Sequence, residues 1–136
     1  MSFEGFKDLL PEITDVNAPY WEGLNKGEVR LQTCGSCGAR QHPPESFCYA
    51  CGSTDIAWKP STGEGEIYSF IEVHQLYNAA FKDHLPYVVA IVQLDDGPRI
   101  LGAMLGLDGE PEIGARVRPA IKQVDNERAV LTFELA

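Results

Sequence analysis

Cysteine occurs four times in the chain, as Cys34-Gly-Ser-Cys37 and Cys48-Tyr-Ala-Cys51. Each pair has the Cys-x-x-Cys spacing with which a single tight turn presents two thiolates to a metal. The residue after each pair is glycine, Gly38 and Gly52, which allows a positive φ that swings backbone amides toward the sulfurs. Ten residues separate Cys37 from Cys48, enough for a β-hairpin that brings the turns together. The expected ligands are therefore Cys34, Cys37, Cys48 and Cys51, around one tetrahedral ion. Zinc is favoured, and iron is the other ion that four thiolates accept. With all four positions filled by protein, neither water nor substrate can reach the metal, so the expected role is structural. Two disulfides would need an oxidising compartment, and a thioredoxin-like redox pair would need a strand-to-helix setting, so both fit less well. His42 lies in the loop between the pairs, next to Pro43 and Pro44. It reads as a surface histidine ordered by two prolines, because the cysteines already satisfy the metal.

Once the cysteines are occupied, no thiol nucleophile remains. The sequence has no Gly-x-Ser-x-Gly elbow, no phosphate-binding loop and no His-Glu-x-x-His helix. The remaining acid–base candidates are His74, His84 and the carboxylates, which form no recognisable catalytic constellation. In "EIYSFIEVHQ", alternation places Ile67, Ile71 and Val73 on one face and Tyr68, Phe70, Glu72 and His74 on the other. That aromatic and imidazole stripe is a candidate ligand surface, unless N-terminal helices cover it. His84 reads as a loop histidine. Arg116, Arg118 and Lys122 share one face of a strand, opposite Val117, Pro119 and Ile121. They form either a solvated stripe or a contact for a phosphate-bearing ligand or an acidic partner.

The elements that must position these residues fall into three segments: 1–29 helical, 30–60 around the cysteines, and 61–136 all β. Ser2 is placed to cap a first helix with Phe3, Phe6, Leu9 and Leu10 on one face, ended by Pro11. Asn17 is placed to cap a second, with Pro19 in its first turn, Tyr20, Trp21 and Leu24 on one side, and an end near Gly27. Helices this short need a surface to dock on. "EVRLQT" and "IAWKP" frame the cysteine segment as strands. Beyond Ser61 the pattern predicts five strands, near 65–75, 86–94, 99–107, 115–123 and 128–135, with turns at "DDGP", "DGEPE" and "DNE" between them. Five strands in this length suit a small Greek-key barrel of the OB type, so the expected fold is mostly β. "YVVAIVQL" and "ILGAMLGL" are apolar on both faces, so their outward side needs cover from the helices or from another protein.

The chain has 136 residues, of which 11 are Lys or Arg and 20 Asp or Glu, a net charge of −9. Four thiolates and one divalent ion would take it to −11. Such a chain repels a nucleic-acid backbone unless its few cations cluster. No apolar run reaches the roughly 20 residues of a membrane span, and "MSFEGFKDLL" lacks the layout of a secretory signal. The expectation is a cytoplasmic protein with no membrane and no nucleic-acid partner.

The order of the motifs is itself specific: "YW", Cys-x-x-Cys-Gly, "PPESFC", Cys-x-x-Cys-Gly, "STGEGEIYSF", "PYVVAIVQLDDGPRIL" and "IGARVRP". From about Tyr20 onward it resembles the zinc-ribbon and OB-fold proteins catalogued as domain of unknown function thirty-five. The resemblance implies a helical N-terminal segment, a rubredoxin-like zinc ribbon and an OB-fold barrel. It also implies association with acyl-CoA and with thiolase-like acyltransferases, or thiolase-fold aldolases and hydratases, of steroid and fatty-acyl breakdown. In such a protein Cys34, Cys37, Cys48 and Cys51 are the ribbon ligands. Pro43 and Pro44 match the family's proline pair, Gly63 and Gly65 its glycine turn, and Pro86 and Tyr87 its strand opener. No catalytic residue carries over. The implied function is a non-catalytic accessory subunit that holds structural zinc and serves an acyl-CoA enzyme. Tyr20, Trp21, Tyr68, Phe70 and His74 are candidates for an acyl or pantetheine surface, and Arg116 and Arg118 for the phosphates of a CoA ester. The competing class is a nucleic-acid-binding ribbon and barrel, which the charge disfavours.

Overall fold

The computed structural model describes residues 3–136. The expected cap at Ser2 lies outside them. The first helical stretch is a 3-10 helix, Glu4–Leu9, rather than an α-helix. Six residues closed off by Pro11 have too few hydrogen bonds to repay α-helical nucleation. Helix α1, Ala18–Asn25, has Pro19 in its first turn. Asn17 stands at its N-cap, but the side chain turns backward: its Oδ1 accepts from the Thr14 amide at 2.6 Å. The far end closes with the Glu28 amide on the Gly23 carbonyl and the Gly27 amide on that of Leu24, the paired bonds of a Schellman motif.

Strand β1, Val29–Cys34, runs between β2, Arg40–Gln41, and β3, Ile56–Ser61, antiparallel to both. The ribbon is this three-stranded sheet. The expected hairpin between Cys37 and Cys48 is instead a two-residue strand followed by an irregular loop. Two buried amides stand in for the missing ladder. Gln32 donates to the Glu45 carbonyl at 2.7 Å and accepts from the Glu45 amide at 2.9 Å. Gln41 donates to the Gln32 oxygen and the Phe47 carbonyl, and accepts from the Tyr49 amide. The loop's polar groups are thus satisfied from the side chains beneath it.

The remaining strands are β4, Gly65–Val73; β5, Tyr87–Leu94; β6, Arg99–Met104; β7, Arg116–Gln123; and β8, Ala129–Leu135. They close into a barrel in the order β4-β5-β6-β8-β7, with β6 and β8 parallel where Met104 meets Phe133. This is the expected OB-type topology. β4 joins two neighbours at once, since Gly65 pairs with both Leu94 and Val117. A Cβ at Gly65 would run into the Gln93 carbonyl, so the closure requires glycine there. Ile67, Val92, Val117 and Phe133 fill the interior, and Trp21, Leu24, Val29 and Leu31 join the same core. Arg40 reinforces the join between ribbon and barrel by donating to the Pro60 and Asp96 carbonyls.

Candidate functional site

The four sulfurs lie within 4.8 Å of one another, with Cys34–Cys51 and Cys37–Cys48 both at 3.6 Å. A tetrahedron with metal–sulfur bonds of about 2.3 Å has edges of roughly 3.8 Å, whereas a disulfide needs about 2.05 Å. The donor set therefore fits a tetrahedral thiolate-bound ion. Both turns have the same build. The Gly38 amide bonds the Cys34 carbonyl at 3.0 Å and the Gly52 amide that of Cys48 at 2.9 Å, with φ +77° at both glycines. Amides of Ser36 and Cys37 point at the Cys34 sulfur, and that of Ala50 at the Cys48 sulfur, at 3.3–3.4 Å. The Cys37 amide leads in pulling the Cys34 thiol down to about 6, and that of Cys51 leads in lowering Cys48, while against the Ala39 and Ser53 amides the neighbouring sulfurs raise Cys37 and push Cys51 up to about 12. Four thiolates this close need a cation to coexist. The zinc-ribbon fold thus carries four cysteines positioned for metal binding, Cys34 and Cys48 buried, Cys37 and Cys51 exposed.

Outside this cluster the structure sorts the predicted ligand residues onto separate surfaces. Tyr20 and Trp21 line a cleft of about 430 Å³ facing His42, Pro43 and Pro44. His42 is no loose surface histidine: its ring packs 5.0 Å from that of Tyr20. Burial pushes the imidazole down to about 4 and the Tyr20 phenol up. Among the described residues the buried Trp21 indole N–H has no hydrogen-bond partner.

Tyr68, Phe70 and His74 do not share a face. β4 carries a bulge between Ile67, opposite Val92, and Ser69, opposite Ile91. The extra residue, Tyr68, reverses the alternation beyond it. Phe70 then faces inward onto the core, while Ile71 turns outward at 61% exposure. Tyr68 lies outside under the Arg99 guanidinium, 3.7 Å from the ring centre. His74 sits past the strand end, 2.7 Å from Glu72.

The arginine stripe is likewise not free. Arg116 grips Asp95 with two bonds, 2.8 and 2.5 Å, and Arg118 donates to Glu134 at 2.8 Å. The Arg116 hydrogen bonds hold the Asp95 carboxyl below its ordinary value, and Asp95 in turn raises Arg116. Partners for these cations lie on other strands or turns, where sequence spacing gives no warning of them.

Sequence reading passed over one further feature. His84, expected as a loop residue, packs 5.1 Å from Phe6, which lies 4.8 Å from Phe81, itself stacked on Tyr87 at 4.8 Å. These rings border a cavity of about 410 Å³ on the outside of the barrel. Its signals in the sequence were the apolar face with Phe3 and Phe6 and the surplus of apolar residues on β5 and β6. Among the described residues no helix is long and apolar enough to cross a membrane.

A thiolate cluster on a three-stranded ribbon, joined to a closed five-stranded OB barrel, defines a two-module zinc-ribbon class of protein. The chain matches two family models: "ChsH2, rubredoxin-like zinc ribbon domain" over residues 21–57 and "ChsH2, C-terminal OB-fold domain" over residues 58–122. It belongs to this ChsH2/DUF35 family. It is 32% identical over 133 residues to the "Probable enoyl-CoA hydratase alpha subunit" of Thermomonospora curvata, covering 85% of this chain and 41% of that one. It therefore spans less than half the length of that relative. It is 30% identical over 106 residues to a "DUF35 domain-containing scaffold protein" of Methanocaldococcus jannaschii, covering 74% and 73% of the two chains. Among solved structures, a chain of the "Ltp2-ChsH2(DUF35) aldolase" superposes with a TM-score of 0.83 and 32% identity, over 93% of this chain and 98% of that one.

Proposed function

We propose that the chain is a non-catalytic accessory subunit or module, held in shape by zinc, that docks on a thiolase-fold acyl-CoA enzyme and completes its acyl-CoA site. The observation that carries this reading is the likeness, along nearly the whole of both chains, to the DUF35 chain of an aldolase. The barrel surface supports it. The bulge at Tyr68 turns Ile71 outward opposite Val89, beside a second row of Ile91 and Leu101. Ile71 and Leu101 are 61% and 66% exposed. Adjacent apolar rows of this kind suit a protein interface better than open water. The chemistry belongs to the partner, in a reducing, cytoplasmic setting that keeps the thiolates available to the metal. Tyr20 and Trp21, which line the cleft beside His42 and Pro43, offer an aromatic wall for a pantetheine arm. Because Arg116 and Arg118 are already paired, phosphate would have to displace Asp95 or Glu134, so the CoA phosphates fall mainly to the partner.

Co-expression with a thiolase-like protein from the same source should yield a stable complex that turns over acyl-CoA esters, while the chain alone does not. Robust turnover by the isolated chain, abolished by His74→Ala, would overturn the reading. Salt-sensitive micromolar binding of a generic single-stranded oligonucleotide, without complex formation, would favour the nucleic-acid class instead.

A further inference from the structure

The 3-10 helix Glu4–Leu9 lies as a strap across the outside of the barrel, and apolar hollows open on both sides of Phe6. One, about 410 Å³, is walled by Phe81, Tyr87, Met104 and Leu107. The other, about 260 Å³, continues past Leu9 and Leu10 to Val130. Phe3, Phe6, Phe81 and Ala103 line both, so the two form one groove with Ala103 in its floor. Polar groups are confined almost wholly to one end. Among the described residues Glu72, His84 and Glu110 border the larger hollow, and Thr132 is the polar residue of the smaller one.

No lysine or arginine among the described residues lines either hollow. With two carboxylates at the rim and a net charge of −9, an anionic head group would be repelled from this end. A peptide segment would bring backbone amides and carbonyls into walls with few partners for them, a poor match for the narrower hollow. A hydrocarbon chain matches apolar and aromatic walls of this kind. At on the order of 30 Å³ per heavy atom, the larger hollow alone takes roughly a dozen carbons.

We infer that this groove binds an uncharged hydrocarbon chain, with any hydroxyl, ester or thioester oxygen held toward the His84 end. The assignment rests on the proposed function only in identifying that chain as the acyl part of a CoA thioester.

The test uses the isolated full chain and the neutral dye Nile red, displaced by 1-octanol, 1-decanol and 1-dodecanol, with decanoate at pH 8 as the charged counterpart. Each added pair of methylenes should tighten binding about tenfold, and decanoate should bind at least tenfold more weakly than decanol. Ala103→Phe, which fills the floor, should weaken decanol at least tenfold while the metal content and melting temperature stay as in wild type. Phe6→Ala, a change in the strap alone, should also weaken it. The inference is overturned if decanoate matches decanol, if affinity ignores chain length, or if both variants bind as wild type. It is equally overturned if no alcohol binds while Ala103→Phe disrupts self-association or the complex with the thiolase-like partner, since the groove would then be a protein interface. Alcohol binding without partner association would sustain the groove and sink the proposed function; the reverse would separate them the other way.

Discussion

In the ribbon, β1 and β2 bury Leu31 beside two glutamines and one of the four cysteines, Cys34, and the loop to Cys48 hangs on hydrogen bonds from Gln32 and Gln41. In the barrel, by contrast, Ile67, Val92, Leu94, Val117 and Phe133 are all essentially inaccessible, and the strands close on themselves. The barrel is ordered by apolar area removed from water. The ribbon has too little such area for its length, and what it has instead is four cysteines positioned for a metal and a set of satisfied polar groups. Val29 and Leu31 belong to the barrel's core cluster. The boundary between the two regimes therefore falls inside β1, between its barrel end and its cysteine end.

Metal removal should produce the largest effect. Structural zinc in small modules contributes apparent binding on the order of 10 kcal/mol. After chelation, or in Cys48→Ser, hydrogen exchange should lose protection from Thr33 through Gln41 and keep it in β5 and β8. Uniform loss along the chain would mean that the barrel also depends on the metal and would erase the contrast. Freshly prepared reduced protein should hold one metal per chain by elemental analysis.

The next largest effect should come from the other side. Phe133, fully buried where β6 meets β8, should cost about 3–5 kcal/mol as Phe133→Ala, read by urea unfolding. At 25 °C the variant should still hold its metal; metal loss in step with unfolding would show a single cooperative unit.

Gln41→Leu sharpens the comparison within the ribbon. It strips partners from the Tyr49 amide, the Phe47 carbonyl and the Gln32 oxygen, at about 1–3 kcal/mol per buried group left unsatisfied. Transfer of the metal to a chelator should become faster, and wild-type release kinetics would refute the role given to the amide pair.

The smallest effect concerns His42, whose burial pushes the imidazole down to about 4 in the folded chain, against about 6.5 when unfolded. Between those values the unfolded chain binds more protons, so stability rises with pH. The contribution is fully present above about 6.5 and lost as pH falls toward 4, at most about 3 kcal/mol. His42→Phe should flatten that part of the stability–pH curve; an unchanged slope would mean that the imidazole stays hydrated.

The sequence was most legible where short segments decide. Each Cys-x-x-Cys-Gly turn is a local motif, so spacing alone predicted a cluster that the structure brings within 4.8 Å. Turn residues such as "DDGP" and "DNE" bracket strands that form within a few residues of their expected limits. It was least legible wherever one strand depends on another. The bulge at Tyr68 is a choice of register between β4 and β5, and by moving Phe70 inward and Ile71 outward it dissolved the expected stripe. Arg116 and Arg118 read as a basic face because Asp95 and Glu134 lie 21 and 16 residues away in sequence. Gln32 and Gln41 looked like ordinary strand polar residues until the loop above them was in place.

What the sequence by itself determined is therefore the parts: a four-thiolate metal site, a mostly β chain with an OB-type strand count, and an acidity that disfavours nucleic acid. These follow from local backbone geometry, hydrophobic period and net charge, all carried by neighbouring residues. Tertiary structure alone decided which side chains share a surface, which cations are already neutralised and where the outer apolar groove runs. Those depend on register across strands and on packing between segments as distant as Phe6 and Ala103, where no short stretch of chain holds the information.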